Sequence, residues 1–460
     1  VNDFLLKLIG TGTALLMPFA SSSFAETGAS RSVDQPCTLA ITNVSAIPMD
    51  SERILTDQTI RIAGTQIASI APSTERGDNC AQTVSGRGLF ALPGLNDMHV
   101  HVETAAFAQS LQFPEQSINY EDVLFPYLAY GVTGIRIMTG ASDILAFRDS
   151  EHGVTPAMLV GTPMLSGAPP VIPEPITHVL ESPEAAIEAV NTYADAGYDF
   201  IKIRRNLTSE VLEAVIAAAR ARNLDVDGHL QRTADPSSIV QNGIAHIDEL
   251  SLLVRRQNLD PEELADGLIA CRCYVTTTLT VEQSAAAQLR DYDSFASRPE
   301  IRFVHPMLRR AWWVRERNPY LAEAADPAFF DDLLQTDLHL VRVLNRRGVP
   351  LIAGTDALIP MIVPGASLHD ELALLEQAGL SPFEVLSTAT RTPAQIFPAF
   401  GNMGTLEAGK TANIILIADN PLRNIGALEH PEAVIVDGII LARSALETRM
   451  ESIAMSYEAQ

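Results

Sequence analysis

The chain is short of basic residues, of cysteine and of long apolar runs, and each shortage removes a class of function. Lysine and arginine number 32 against 56 acidic residues, a net charge of −24 over 460 residues. Such a surface repels a polyanion, and no basic patch offsets it, so nucleic acid is not an expected partner. The densest basic stretch, Arg302 to Arg317, is interrupted by Trp312, Trp313 and Glu316 and reads as one face of an amphipathic helix. Charged residues are 19% and hydrophobic residues 47%, the balance of a globular enzyme rather than of a disordered chain. Beyond the first 25 residues no run is long and apolar enough to cross a bilayer, so no membrane anchor is expected.

The first 25 residues have the pattern of a secretory signal. Lys7 precedes the apolar stretch Leu8 to Ala20, and Ser21-Ser-Ser-Phe-Ala25 places small residues at the −3 and −1 positions of a cut after Ala25. A periplasmic or secreted location is therefore expected. In an oxidising compartment Cys37 and Cys80, each just before a predicted strand, are expected to form a disulfide. Cys271 and Cys273 sit at i and i+2 of a strand-like run. A bond between them would be strained, so they are expected as small buried core residues.

A chain of this length exceeds one compact core and fits a large domain plus a smaller one. Thr38 to Phe90 carries short β-type runs such as Gln58-Thr-Ile-Arg-Ile-Ala, broken by Gly64, Pro72 and Gly86. The pattern returns in Ala412-Asn-Ile-Ile-Leu-Ile-Ala and Ala433-Val-Ile-Val. Between them strands alternate with helical segments, as in parallel β/α folds. Strands are expected near 95–101, 132–138, 157–164, 199–204, 225–230, 244–249, 273–280 and 350–356, with helices over Ser209 to Asn223 and Pro382 to Thr390. Glu103 to Tyr120 is expected as a loop over the strand ends.

The histidines are few, ten in all, and four of them fall in one pattern. His99 and His101, at i and i+2 on a predicted strand, project to the same face, a chelating arrangement. Lys202, His229, His246 and Asp356 follow, each at the end of a predicted strand. Imidazole suits zinc, manganese or nickel. A buried lysine in such a set is costly as an ammonium. Lys202 precedes His229 by 27 residues and His229 precedes His246 by 17, spacings of one helix and one short connection.

These stretches, Leu92-Pro-Gly-Leu…His99-Val-His101, Phe200-Ile-Lys202, Gly228-His229, Ala353-Gly-Thr-Asp356, Ser367-Leu-His-Asp-Glu-Leu372 and Gly404-Thr-Leu-Glu-Ala-Gly-Lys410, resemble the amidohydrolase superfamily, in its imidazolonepropionase-like and prolidase-like branch. The resemblance runs from about Leu39 to Ser444. It implies a (β/α)8 barrel over 92–401 and a discontinuous β-sandwich from 26–91 and 402–445, with 446–460 as a C-terminal tail. It also implies two divalent metals, zinc first with manganese, nickel or cobalt as alternatives, held by His99, His101, His229, His246 and Asp356. Lys202, carboxylated by CO₂, would bridge them. A metal-bridging hydroxide would attack the scissile amide of a dipeptide or N-acyl amino acid, and Asp356 would carry the proton. His369 and Glu371 would fix a loop. Relatives often have Val-Arg-Asp after the Gly-Val-Thr element, whereas Arg136 is followed here by Ile137, which leaves the role of that aspartate unfilled.

Strand alternation puts Arg204 on the face of Lys202, where it would grip a substrate carboxylate or, equally, pair with Asp248 on the rim. Lactone, carbamate or phosphotriester hydrolysis on the same two-metal site is the alternative activity. A mononuclear deaminase or a non-enzymatic binding barrel fits the full ligand set less well. The expected partner is a small molecule or short peptide; a homo-oligomer is left open.

Overall fold

A computed structural model describes residues 36–74, 79–110, 118–170, 172, 175–231, 239–311, 313–322 and 325–459. The signal-like residues 1–25 lie outside them. Strands from both chain ends share one eight-stranded sheet. Its order is Ile439–Ala442, Ala433–Val436, Ile414–Ile417, Phe90–Pro93, Leu39–Ala46, Leu55–Ala63 and Gln66–Pro72, with Gln82–Ser85 parallel to Leu39–Ala46. The join between the two ends is the antiparallel pairing of Phe90–Pro93 with Ile414–Ile417, Ala91 opposite Leu416. Alternation does what period 2 demands: Ile60 and Ile62 are buried and Arg61 between them is not. Cys37 and Cys80 are disulfide-bonded beside this sheet, with Cα atoms 4.6 Å apart.

The remaining strands are parallel and followed by helices, a TIM-barrel-like α/β arrangement. Leu95–Val100, Val132–Ile137 and Ala157–Val160 form one sheet. Phe200–Ile203, Asp225–Gly228, Gly243–Ile244, Tyr274–Thr276 and Leu351–Ile352 belong to the other. Backbone hydrogen bonds join the two sheets at both edges: Met98 N to Ala353 O (2.9 Å) on one side, Asp199 N to Val160 O (2.9 Å) on the other. All six residues of Leu95–Val100 are buried, as expected of a strand covered on both faces. Two short strands, Met164–Ser166 and Thr177–Val179, extend the second sheet beyond Phe200–Ile203.

The covering helices start where their caps dictate. Thr208 accepts the Val211 N–H at the head of Ser209–Ala221, and Ser381 with Glu384 forms a capping box ahead of Pro382–Thr388. Their apolar stripes face the strands; Val211, Val215 and Ala219 pack with Ile201 and Val226.

Several expectations need correction. The predicted strand 244–249 ends at Ile244, and Ile247–Gln257 is a helix, so Asp248 sits in its first turn and not in strand phase with His246. Cys271 and Cys273 are disulfide-bonded. Cys271 closes the helix Pro261–Cys271, and Arg272, at φ 59°, turns the chain so that the two Cα atoms stand 5.3 Å apart, closer than an extended strand would hold them. The Arg302 to Arg317 stretch is broken into a 3₁₀ turn, Pro299–Phe303, and a helix, Pro306–Ala311. Trp313 is buried with Val304 and Leu308, and Trp312 lies outside the described residues. Glu103 to Tyr120 contains the helix Ala105–Ser110, while 111–117 lie outside the described residues. Most of the final segment, 446–460, belongs to the helix Arg443–Glu458, which buries Leu446, Ile453 and Tyr457.

Candidate metal centre and active site

The strand Leu95–Val100 delivers His99, and His101 follows just past its end. Gly354 lets the neighbouring strand come close, since a Cβ there would stand 2.7 Å from His99 Cβ. That approach allows Asp356 N to bond His99 O at 2.8 Å, which sets Asp356 against the histidine pair. Asp356 Oδ1 is 2.9 Å from His101 Nε2 and 3.2 Å from His99 Nε2, and its Oδ2 is 4.0 Å from His246 Nδ1. His99, His101 and Asp356 offer ligand atoms within 4.8 Å of one another. The ring of His246 stacks beside those of His99 and His229, with centroids 4.5 and 4.9 Å away. Lys202, from Phe200–Ile203, lines the same cavity of about 460 Å³. All six predicted ligands therefore meet at one end of the strands.

Asp356 adopts φ 60° and Thr278 φ 46°, a left-handed backbone that costs a side-chain-bearing residue about 1–3 kcal/mol and persists where the surroundings enforce it. Asp97 enforces the first: its carboxylate accepts from Thr355 N (3.0 Å) and Thr355 Oγ1 (2.7 Å). Glu371 enforces the second, accepting from Thr277 Oγ1 and from Thr280 N (2.9 Å) on either side of Thr278. His369 bonds Tyr130 O at 3.0 Å, away from the cavity.

Three of the four histidines have one nitrogen committed to the protein. His99 Nδ1 faces Ala245 O at 3.1 Å and His246 Nδ1 faces Thr278 Oγ1 at 3.1 Å. His229 Nδ1 faces Glu249 Oε1 at 2.8 Å. Glu249 in turn accepts from Leu230 N (2.6 Å) and from Arg205. These contacts orient the rings in the manner of outer partners of metal ligands. Sequence reasoning missed Glu249, although a carboxylate three residues after His246, in the first turn of a helix, was the available signal.

Burial lowers the pKa of His99, His229 and His246, and for His229 the Lys202 and Arg204 charges add to the effect. All three are thus kept as neutral imidazoles, the form that donates to a metal. Burial opposes ionisation of Asp356, yet His99, His101 and His246 hold it well below the usual carboxylate value. Burial also pulls Lys202 down to about 8. Its Nζ, His99 Nε2 and Asp356 Oδ1 are buried and form no hydrogen bond of good geometry among the described residues. Neutral imidazoles, an anionic carboxylate and an orphaned amine are a donor set that fits divalent cations.

Arg204 lies against His229, NH1 to Nε2 at 3.0 Å, and makes no ion pair among the described residues; the alternative partner, Asp248, does not bind it. Beneath the cavity Arg136 is fully buried. It bonds Asp227 Oδ2 at 2.6 Å and Tyr274 OH at 3.1 Å, and packs over Phe200 at 4.0 Å. Asp227 thus supplies the carboxylate partner of Arg136 that the residue after it, Ile137, cannot.

A sequence profile of the amidohydrolase family matches residues 90–441. The chain belongs to the amidohydrolase family. That is a family of metal-binding hydrolases acting on carbon–nitrogen bonds. Among curated proteins, an uncharacterized protein of Mycobacterium bovis is 30% identical over 128 residues, 27% of this chain and 33% of that one; the match spans about a third of that relative's length. Among solved structures, a bottromycin amidohydrolase superposes with a TM-score of 0.70 at 22% identity, covering 92% of this chain and 91% of the other. A Xaa-Pro dipeptidase with methionine bound in its active site gives 0.67 at 19% identity, over 88% and 99%. At these identities the likeness is one of fold.

Proposed function

We propose that the protein is an exported binuclear metal hydrolase that cleaves the amide bond of dipeptides or N-acyl amino acids. The observation that carries this reading is the buried, unpartnered Lys202 Nζ in one cavity with His99, His101, His229, His246 and Asp356. The two parallel sheets are read as one closed (β/α)8 barrel because backbone bonds join them at both edges. His99, His101 and Asp356 would hold one ion, His229 and His246 a second, and Lys202, carboxylated on Nζ, would serve both. The ions, zinc first by ligand type, supply Lewis acidity and water acidified to near neutral pH.

The chain's own groups do the rest. Asp356, held ionised, accepts the proton of the attacking water and returns it to the leaving nitrogen. Arg204 binds the substrate carboxylate, for which its missing ion-pair partner is the support. Phe107, Met164, Ile176 and Leu358 give the cavity an apolar wall for a side chain.

The test joins elemental analysis of the purified protein to a panel of dipeptides, N-acyl amino acids, lactones and phosphotriesters. Two metals per chain and fastest turnover on the amides are expected. One metal at full activity, or preference for neutral lactones or phosphotriesters, would overturn the reading. Arg204→Met is expected to raise KM for a free-acid substrate by roughly tenfold or more, with little change for the corresponding amide, as a lost charge-assisted hydrogen bond would. Equal losses on both would make Arg204 a support of the metal site.

A further inference from the structure

The cavity carries acidic groups on another wall. Glu282, in the first turn of Thr280–Ala296, and Asp248, in the first turn of Ile247–Gln257, both line it. Glu282 is only 4% exposed, and its Oε2 has no hydrogen-bond partner among the described residues. Behind them Asp337, from the helix Pro327–Arg347, is fully buried with both carboxylate oxygens unpartnered. None of the three makes an ion pair among the described residues. The nearby cations are engaged elsewhere, Arg205 by Glu249 and Arg255 by Asp332. Arg317, also on the cavity, is exposed and pairs with none of them.

Buried carboxylates without a counter-charge are expensive, and the expense falls when a cation arrives. Burial first, then Asp248 and Asp337, raise Glu282 well above the usual glutamate value. A bare metal ion is not the occupant that fits. Among the described residues the only three ligand groups that converge closely are His99, His101 and Asp356. An organic cation, held by charge-assisted hydrogen bonds, needs no such convergence.

We propose that the carboxyl groups of Glu282 and Asp248 form an acidic subsite that receives a cationic nitrogen on the acyl half of the substrate, while Arg204 takes the carboxylate on the amine half. This rests on the amide-hydrolase reading above and selects within it: free or basic dipeptides over uncharged N-acyl amino acids. The nitrogen is an α-ammonium or a basic side chain, and the substrates below separate the two.

Leucyl-leucine, N-acetyl-leucyl-leucine and N-acetyl-lysyl-leucine are compared on the metal-loaded enzyme by kcat/KM and by calorimetric binding. If the α-ammonium is bound, acetylation of leucyl-leucine lowers both by roughly tenfold or more. If a side chain is bound, N-acetyl-lysyl-leucine exceeds N-acetyl-leucyl-leucine by a similar factor. Glu282→Gln erases the difference, bringing the charged peptide and its uncharged counterpart within about twofold of one another in the variant. Three peptides of equal affinity and rate would overturn the subsite, as would equal losses on all of them in the variant. Should Glu282→Gln fail to fold, Asp248→Asn and the wild-type ratios decide in the same terms. If no peptide is cleaved but the binding pattern holds, the subsite stands and the amide reading falls.

Discussion

The sheet built from both chain ends and the cavity at the strand ends both contain buried side chains, but burial does different things in them. In the sheet, apolar side chains such as Leu39, Ile41, Ile60, Ile414 and Ile435 meet one another, and main-chain groups pair along the strands. Among the described residues no buried side-chain nitrogen or oxygen of those strands lacks a hydrogen-bond partner. In the cavity, Lys202 Nζ, His99 Nε2, Asp356 Oδ1 and Glu282 Oε2 are sequestered without a good hydrogen bond. Between these extremes lies the Arg136–Asp227 pair, fully buried and paired with each other, with Tyr274 and Phe200 on Arg136, although Arg136 Nε and Asp227 Oδ1 have no hydrogen-bond partner among the described residues. Burial of charge alone therefore does not mark function. The convergence of several unpartnered buried ionisable groups on one cavity does so.

Four substitutions probe that contrast. Lys202→Ala is expected to take turnover to background and to deplete metal while the fold survives. Short-chain carboxylates with bicarbonate should restore part of the activity. Elemental analysis and kcat measure this, and normal turnover with full metal content would move Lys202 to the structural side. Arg136→Met should cost about 3–5 kcal/mol, because it leaves Asp227 charged and alone in the interior. Urea denaturation reads the loss, and adding Asp227→Asn should recover part of it.

Cys37→Ser removes a crosslink between residues 43 apart and should cost about 2–4 kcal/mol while leaving kcat unchanged, since the bond braces the sheet and not the cavity. A drop in kcat would tie the two regions together. The smallest effect is expected from Glu249→Gln, which weakens the hold on the His229 ring. Metal affinity should fall by about 10–100-fold in a chelator competition, with stability nearly unchanged. An unaltered affinity would mean that Arg205 and Leu230, not the ring, are what Glu249 serves.

How legible the site was depended on where each residue's partners lie in the chain. The strand ends carrying His99, His101, Lys202 and His229 followed from β-branched runs and the turn residues after them, which are local. The position of Asp248 was misplaced because Ala245-His-Ile-Asp-Glu-Leu suits a strand or a helix start, and the neighbouring strand Tyr274–Thr276 pairs only with Gly243–Ile244. The Cys271–Cys273 bond depended on one residue, Arg272, leaving the extended region at a helix end.

By itself the sequence determined the kinds of ligand and their order along alternating strands and helices, and its resemblance to the amidohydrolase superfamily implied a metal-dependent hydrolase on a β/α scaffold. Periodicity and donor chemistry are properties of short stretches. Only the tertiary structure decided which buried charges were matched. Arg136 finds Asp227 across 91 positions, Thr355 finds Asp97 across 258, and Glu371 reaches Thr277 across 94. Glu282 finds no partner among the described residues. A side chain's electrostatic fate is set by what surrounds it in space, and for these residues the surroundings come from strands and helices far away in the chain.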